Sequence, residues 1–355
     1  MEKYQKPIKG RGAQINPSNP YLKHAYDTAA EDGLDEALVP DTKTELFFEH
    51  PKKILNHVKS PDVPFEWSLN PYQGCEHGCI YCYARNAHTY WGFSAGLDFE
   101  RKIIVKENAA ELLVKALENK RWQPKPIMLS GNTDCYQPLE RKLKITRQCL
   151  EVLLRYHHPL SLITKNSLIL RDLDLLKELA KEGLVHVAIT ITTLNEELRR
   201  AMEPRTASTK KRLAVVETLA KAGIPVGVML GPVIPGLNNH EIPKLVEESA
   251  KRGALSAGYT FVRLNGQTGD IFEHWIKQHF PDRAQKVLSQ IKASHAGSLN
   301  DSTYGRRMRG EGEIAKSVAQ LYKIAKRRFL ADRKMPPYNL KAFRRPSDVQ
   351  LRLFE

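Results

Sequence analysis

At 355 residues, with 41% hydrophobic and 27% charged side chains, the chain has the makeup of a globular protein able to bury a sizeable core. Its five cysteines, three of them clustered, exclude a disulfide-stapled secreted framework, and no apolar run is long enough for a helical membrane span. The opening MEKYQKPIKGRG lacks the apolar core of a secretory signal, so the expected compartment is the reducing cytoplasm, with no membrane partner.

The net charge of +15 is unevenly placed. Residues 301–355 hold 14 Lys and Arg against 6 Asp and Glu, about half of the whole excess, whereas residues 1–60 balance at 9 against 9. Lys3, Lys6, Lys9 and Arg11 nevertheless make the extreme N-terminus basic. A basic tail attracts a polyanion, or it is a solvated helix face that aids solubility.

Residues 1–60 show little regular pattern and read as a strap laid over the main domain. GRGAQINPSNPY is extended chain broken by Asn-Pro steps, because a residue before proline avoids the helical region. TAAEDGLDEAL, residues 28–38, fits a short acidic turn of helix. From there short apolar runs alternate with helical patterns. Strands are expected at Phe65–Asn70, Ile127–Ser130, Leu160–Thr164, Val185–Thr192, Pro225–Leu230 and Leu255–Arg263. Helical periodicity marks Glu107–Asn119, Ile145–Tyr156, Asp172–Lys181, Thr209–Ala222 and Glu241–Arg252, with Gly223 and Gly253 as stops behind the last two.

Six strands alternating with helices predict an α/β fold: a partial (β/α)6 barrel of parallel strands, or an open doubly wound sheet. Functional groups in either fold collect in the loops at the C-terminal strand ends. Residues 61–265 would form this core domain. Residues 266–355 would form a basic helical extension, with helices at Gly269–Phe280, Arg283–His295 and Glu313–Lys334.

The first strand runs into NPYQGCEHGCIYCYAR, which holds Cys75, Cys79 and Cys82 in the spacing C-x3-C-x2-C. Three thiolates at one point indicate a metal centre with an open position, and thiolates bind zinc or iron–sulfur clusters. A Cys3His zinc site would need His77 or His88 as its fourth ligand. Three cysteines with Tyr81 between them fit better with a [4Fe–4S] cluster whose fourth iron takes a small molecule.

The motif, with its aromatic before the last cysteine, resembles the signature of the radical S-adenosylmethionine (SAM) superfamily. The longer string, together with Thr133, Asp134, Tyr136, Gln137, Pro138 and Glu140 further on, is similar to the spore photoproduct lyase-like branch, also described as DNA repair photolyase-like. The resemblance spans Pro64 to Arg263. It implies that Cys75, Cys79 and Cys82 each hold an iron and that S-adenosyl-L-methionine chelates the fourth. A one-electron reductant such as flavodoxin or ferredoxin would then start cleavage to a 5′-deoxyadenosyl radical.

Further positions acquire roles by the same resemblance. Tyr81 lies at the cofactor, and Ser130, Gly131, Asn132, Thr133 and Asp134 occupy the place that receives the methionyl amino group. Lys165 matches a position approaching the cofactor carboxylate or ribose, Thr190 and Thr192 face the ribose, and Arg205 meets the carboxylate or a substrate phosphate. Val233 and Ile234 would lie against the adenine, and Cys135 stands near the strand end where the lyase keeps a hydrogen-donating cysteine. His88, Tyr90 and Trp91 either wall the cluster from water or pack an ordinary helix.

The implied function is a radical enzyme that repairs or modifies nucleic acid. Tyr304, Tyr322, Phe329, Tyr338 and Phe343 interleave with Lys and Arg, a pattern that stacks bases while cations meet phosphates. The alternative is a non-catalytic nucleic-acid-binding protein with a structural zinc or iron–sulfur site.

Overall fold

The structure is a computed structural model that describes residues 8–22 and 43–346. The acidic helical turn expected at residues 28–38 and the basic side chains of Lys3 and Lys6 lie outside the described residues.

Ten strands are present among the described residues: β1 Glu45–Glu49, β2 Leu55–His57, β3 Trp67–Leu69, β4 Tyr72–Gln73, β5 Lys102–Lys106, β6 Ile127–Leu129, β7 Leu160–Thr164, β8 Val185–Thr190, β9 Val226–Val233 and β10 Ser256–Phe261. The helices are α1 Leu97–Arg101, α2 Ala109–Leu117, α3 Glu140–Leu143, α4 Ile145–Arg155, α5 Leu173–Lys181, α6 Glu196–Met202, α7 Thr209–Lys221, α8 Ile242–Lys251, α9 Thr268–His279, α10 Pro281–Ala293 and α11 Gly312–Leu330.

Seven strands form one sheet in the order β10-β9-β8-β7-β6-β3-β2. Six are parallel, and β2 closes one edge antiparallel to β3. These six are the strands expected from the alternation, so the fold is the α/β partial barrel. Strand side chains alternate between its interior and the helix layer, and Leu69, Leu129, Leu162, Ile189 and Val228 are all buried. Local chemistry sets the helix ends. Asn195 and Ser208 accept hydrogen bonds from the first turns of α6 and α7, and Gly223 and Gly253 stand behind α7 and α8 at φ of +76° and +91°.

Parallel register puts the C-terminal ends of β3, β6, β7, β8, β9 and β10 on one rim. The cysteine loop follows β3 and β4, so it lies on that rim.

Two regions differ from the sequence expectation. The segment read as an irregular strap contains β1, which pairs in parallel with β5, while β4 pairs with the other side of β5. This separate sheet was invisible locally because β1 and its partner are far apart in the chain. Upstream of it the strap crosses the back of the cysteine loop. A Cβ on Gly12 would meet the Gly78 carbonyl oxygen at 1.8 Å, so only a bare backbone fits there.

The tail is the second difference. Tyr322 donates to the Ala257 carbonyl at 2.5 Å, Tyr338 stacks on His186 at 3.9 Å, and Phe343 meets His158 edge-on at 5.4 Å. Phe329 also packs against the core, leaving Tyr304 as the one member of the five that is more than half exposed, at 58%. The Asn339 N–H binds the Gly183 carbonyl at 2.9 Å, which places this end of the chain where β8 begins, away from the cysteines. Burying large rings against the barrel is a stronger use for them than waiting for bases in water.

Candidate cluster and cofactor site

The cysteine loop is shaped by two glycines and by neighbours from other strand ends. Gly74 and Gly78 adopt φ of +82° and +69°, a region that side chains disfavour, and a Cβ on Gly78 would also meet Glu100 Oε2 at 2.7 Å. Behind the loop, fully buried Arg85 pairs with Glu100 at 2.5 Å and donates to the Cys79 carbonyl at 2.9 Å. The same Glu100 carboxylate accepts the backbone N–H groups of Gly12 at 2.9 Å and Ala13 at 2.8 Å. Strap, loop and α1 are thus held by one buried carboxylate.

The loop after β6 is laced to the chain just before the cysteines. Asn70 Oδ1 accepts from the Asn132 N–H at 2.8 Å and the Thr133 N–H at 3.4 Å, and the Thr133 hydroxyl donates to the Tyr72 carbonyl at 2.6 Å. Gln137 reads the backbone on either side of Cys75, accepting from the Glu76 N–H at 2.9 Å and donating to the Gly74 carbonyl at 3.2 Å. Asp134 accepts from the Thr164 hydroxyl at 2.7 Å and the Lys165 N–H at 2.8 Å, and lies 3.3 Å from His77. Burial works against its ionisation, but His77 and these donors hold its carboxyl down at about 2. Asp134 is a staple between three loops.

A second buried carboxylate sits on the other side. Glu203, 0% exposed, accepts from the hydroxyls of Tyr81 and Thr192 and pairs with buried Arg212. Burial opposes its charge, yet Arg212, then Lys165 and the two hydroxyls, hold its carboxyl at about 2. Tyr81 is therefore locked in place, and the Lys165 ammonium lies 5.9 Å from its ring centroid. Burial pulls the Lys165 pKa down, but Cys79 and Glu203 raise it above the ordinary value, so the side chain is cationic. Among the described residues it has no carboxylate within ion-pair distance, although it lies near the Cys79 thiol.

The thiols are close enough to influence one another. Burial pushes the Cys75 thiol well up, with Asp134, Cys79 and Cys82 adding to the effect, and burial pushes Cys79 up to about 12. All three are free of disulfides. His77 is not set to complete a zinc site, and His88, although its ring nitrogens have no hydrogen-bond partner, joins no group of metal-binding side chains among the described residues. His77 spends its ring nitrogens on Asp134 at 3.3 Å and Asn166 at 3.1 Å, and buried His88 packs against Phe93 and Phe99 at 5.2 and 5.5 Å. No group of three or more His, Cys, Asp or Glu among the described residues converges on a single metal ion. Three thiols with no converging fourth ligand among the described residues, and a cation near Cys79, suit a cluster whose remaining iron binds an anionic small molecule.

Comparison with known proteins shows the family of the chain. The model of the radical SAM superfamily matches residues 69–248, about half of the chain. An uncharacterized protein of Mycobacterium tuberculosis is 33% identical over 234 residues, 65% of this chain and 69% of that protein. Another, from Methanocaldococcus jannaschii, is 30% identical over 250 residues, 70% of this chain and 89% of its own. The chain belongs to the radical SAM superfamily.

Among solved structures, spore photoproduct lyase complexed with a dinucleoside spore photoproduct shares the fold. It aligns with a TM-score of 0.58 at 17% identity, over 80% of this chain and 79% of that one. Radical SAM enzymes use a [4Fe–4S] cluster and S-adenosyl-L-methionine, which are accordingly the cofactors of this one.

Of the positions expected to serve radical SAM chemistry, Cys75, Cys79, Cys82, Tyr81, Ser130–Asp134, Lys165 and Thr192 come together on the rim. Thr190 is 2% exposed, and its carbonyl accepts from Arg212 at 3.1 Å. Arg205 pairs with Glu76 of the cysteine loop at 3.3 Å. Val233 ends β9 and Ile234 follows it, both in the core at 3% and 0% exposure. Cys135 is 0% exposed, and burial pushes its thiol well up, so it is a core residue beneath the rim. Tyr90 is exposed and stacks on Tyr21 at 5.1 Å, and Trp91 is also exposed.

Several residues that build the site carried no signal of their own. Glu203 stands two residues before Arg205 in a string read for its arginine, and Arg85 and Glu100 pair only through the fold. Tyr83 directly follows the last cysteine, is 45% exposed, and donates to the Gly131 carbonyl at 2.5 Å. Its place beside the motif was the one available clue.

Proposed function

We propose that the protein is a radical SAM enzyme that acts on nucleic acid, with Cys75, Cys79 and Cys82 as the cluster ligands. The observation that carries the radical chemistry is the set of three neighbouring thiols with the Lys165 cation near Cys79 and, among the described residues, no group of side chains converging on a single metal ion. When bound and reduced, the cluster and S-adenosyl-L-methionine supply a hydrogen-abstracting radical, drawing one electron from a donor such as flavodoxin or ferredoxin. The chain's own work is to hold, orient and shield.

Lys165 would meet the cofactor carboxylate, and the Ser130–Asn132 turn, with Ser130 at φ +71°, would offer backbone to the amino group. Tyr81, held by Glu203, lies beside Lys165. Thr190 and Thr192 would serve the ribose, and Val233 and Ile234 would back the adenine. Asp134 and Thr133 keep the loops in register, and Arg205 steadies the cysteine loop through Glu76. Cys135 is not assigned a hydrogen-donor role because its thiol is wholly buried.

Lys165→Met is expected to raise the half-saturating concentration of S-adenosyl-L-methionine about tenfold, about 1.4 kcal/mol of lost binding. Turnover at saturation should fall less. Titrating the cofactor at a fixed reductant concentration separates the two, and an unchanged half-saturation removes Lys165 from the cofactor.

The substrate class is supported by the excess positive charge of +15, by exposed tyrosines beside arginines on the rim, and by the dinucleoside held in the spore photoproduct lyase structure. Anaerobic reconstitution followed by incubation with oligonucleotides deuterated at the sugar and the base tests it. Deuterium recovered in 5′-deoxyadenosine is the expected result. Label that appears only with a deuterated peptide or free metabolite would overturn the nucleic-acid reading.

A further inference from the structure

We propose that Arg263, with Arg307 beside it, forms a phosphodiester subsite at the mouth of the radical site. This rests on the nucleic-acid reading and says how such a strand is held. Arg263 follows β10 on the rim that bears the cysteines, and its guanidinium lies 5.5 Å from the ring centroid of Tyr83. Because Tyr83 follows Cys82 and binds the loop after β6, Arg263 stands at the edge of the cluster loop.

Among the described residues the Arg263 guanidinium has neither a hydrogen bond nor an ion pair, although it is only partly exposed. Burial lowers its pKa, and the neighbouring Arg307 lowers it further. Arg307 is itself satisfied, donating to Asp62 at 2.5 Å and to Ser60 at 2.6 Å. The other Asp62 oxygen accepts from the Gly305 N–H at 2.6 Å. Asp62 is therefore taken up by Arg307 and the Gly305 N–H, leaving the Arg263 charge without an ion pair in a partly desolvated place. An anion brought by the substrate relieves it.

The surroundings favour a phosphodiester over a carboxylate. Planar guanidinium groups grip phosphate bidentately. Each arginine here also has an exposed ring at its side: Tyr83 at 45% exposure for Arg263, and Tyr304 at 58% for Arg307, the latter 4.5 Å away. Cations alternating with exposed rings make the platform on which single strands stack their bases. A peptide carboxylate would use the charge and leave both rings idle.

The test is anisotropy of fluorescein-labelled decathymidylate over a salt series, with the full-length reconstituted protein. A matching strand whose linkages are uncharged methylphosphonates is the comparison. Arg263→Gln should weaken phosphodiester binding about tenfold at low salt and reduce the slope of log K against log salt by about 0.9. Arg263→Lys should recover part of the affinity, and Arg263→Gln should narrow the preference for charged over uncharged linkages. Both variants should melt with the wild type, since no ion pair is lost. If the wild type binds and Arg263→Gln matches it in affinity and slope, the subsite is wrong and the nucleic-acid reading stands. If the wild type binds neither strand at low salt, both fail. Arg263-dependent binding of an acidic peptide in place of the strand overturns the phosphodiester assignment.

Discussion

Replacing Cys79 by alanine is expected to reduce 5′-deoxyadenosine formation about 1,000-fold or more, about 4 kcal/mol of lost barrier lowering. The substitution removes one of the three proposed thiol ligands, and the neighbouring His77 is not free to replace it, since it is engaged by Asp134 and Asn166. The backbone around it should persist. The Cys79 carbonyl keeps its bond from Arg85, and the Ile80 N–H keeps the Met202 carbonyl at 3.1 Å. Iron and sulfide analysis, with chromatography of the reduced reaction, reads the outcome, and thermal melting confirms the fold. Full iron content with undiminished product would show that Cys79 holds no cluster.

Glu203→Gln is expected to destabilise the protein by about 3–5 kcal/mol, because it leaves Arg212 charged and buried beside a neutral amide. Both side chains are almost fully buried, at 1% exposure for Arg212 and 0% for Glu203, so water cannot compensate. Denaturation in urea measures the loss. A double variant, Glu203→Gln with Arg212→Met, should be more stable than the single one, since removing both charges also removes the desolvation cost.

The pH dependence has a definite sign. The Glu203 carboxyl is held at about 2 against an ordinary 4.5, so its contribution is full above 4.5 and is lost as pH falls through about 2. Glu203→Gln should flatten that acid limb. An unchanged limb and an unchanged urea midpoint would mean that the Glu203–Arg212 pair is not what holds Tyr81.

The six barrel strands and their helices were legible because their signals are local. Val185–Thr190 alternates β-branched residues over one strand, and α7 and α8 end at glycines whose positive φ closes a helix. The cluster ligands were legible for the same reason, as three cysteines within eight residues need no tertiary information to be found together. The β1-β5-β4 sheet was not, because five residues of ELFFE carry a strand signal only once Lys102–Lys106 is beside them. The tail aromatics were misleading. Rings among cations read alike whether they await a base or pack on a barrel, and four of the five pack.

By itself, then, the sequence determined the chemistry that the loop NPYQGCEHGCIYCYAR begins, and the order of units that carries it. Both are short-range properties, written in spacing and periodicity. Only the tertiary structure decided how the loop is held, through Glu100 behind it and Glu203 beside it, and which cation faces it. It also decided which rings stay exposed beside a cation: Tyr83 next to Arg263, a pair the tail pattern does not contain, and, within the tail, Tyr304 next to Arg307. The Tyr83–Arg263 contact joins residues distant in the chain, and a buried charge finds its partner only when folding removes the water between them.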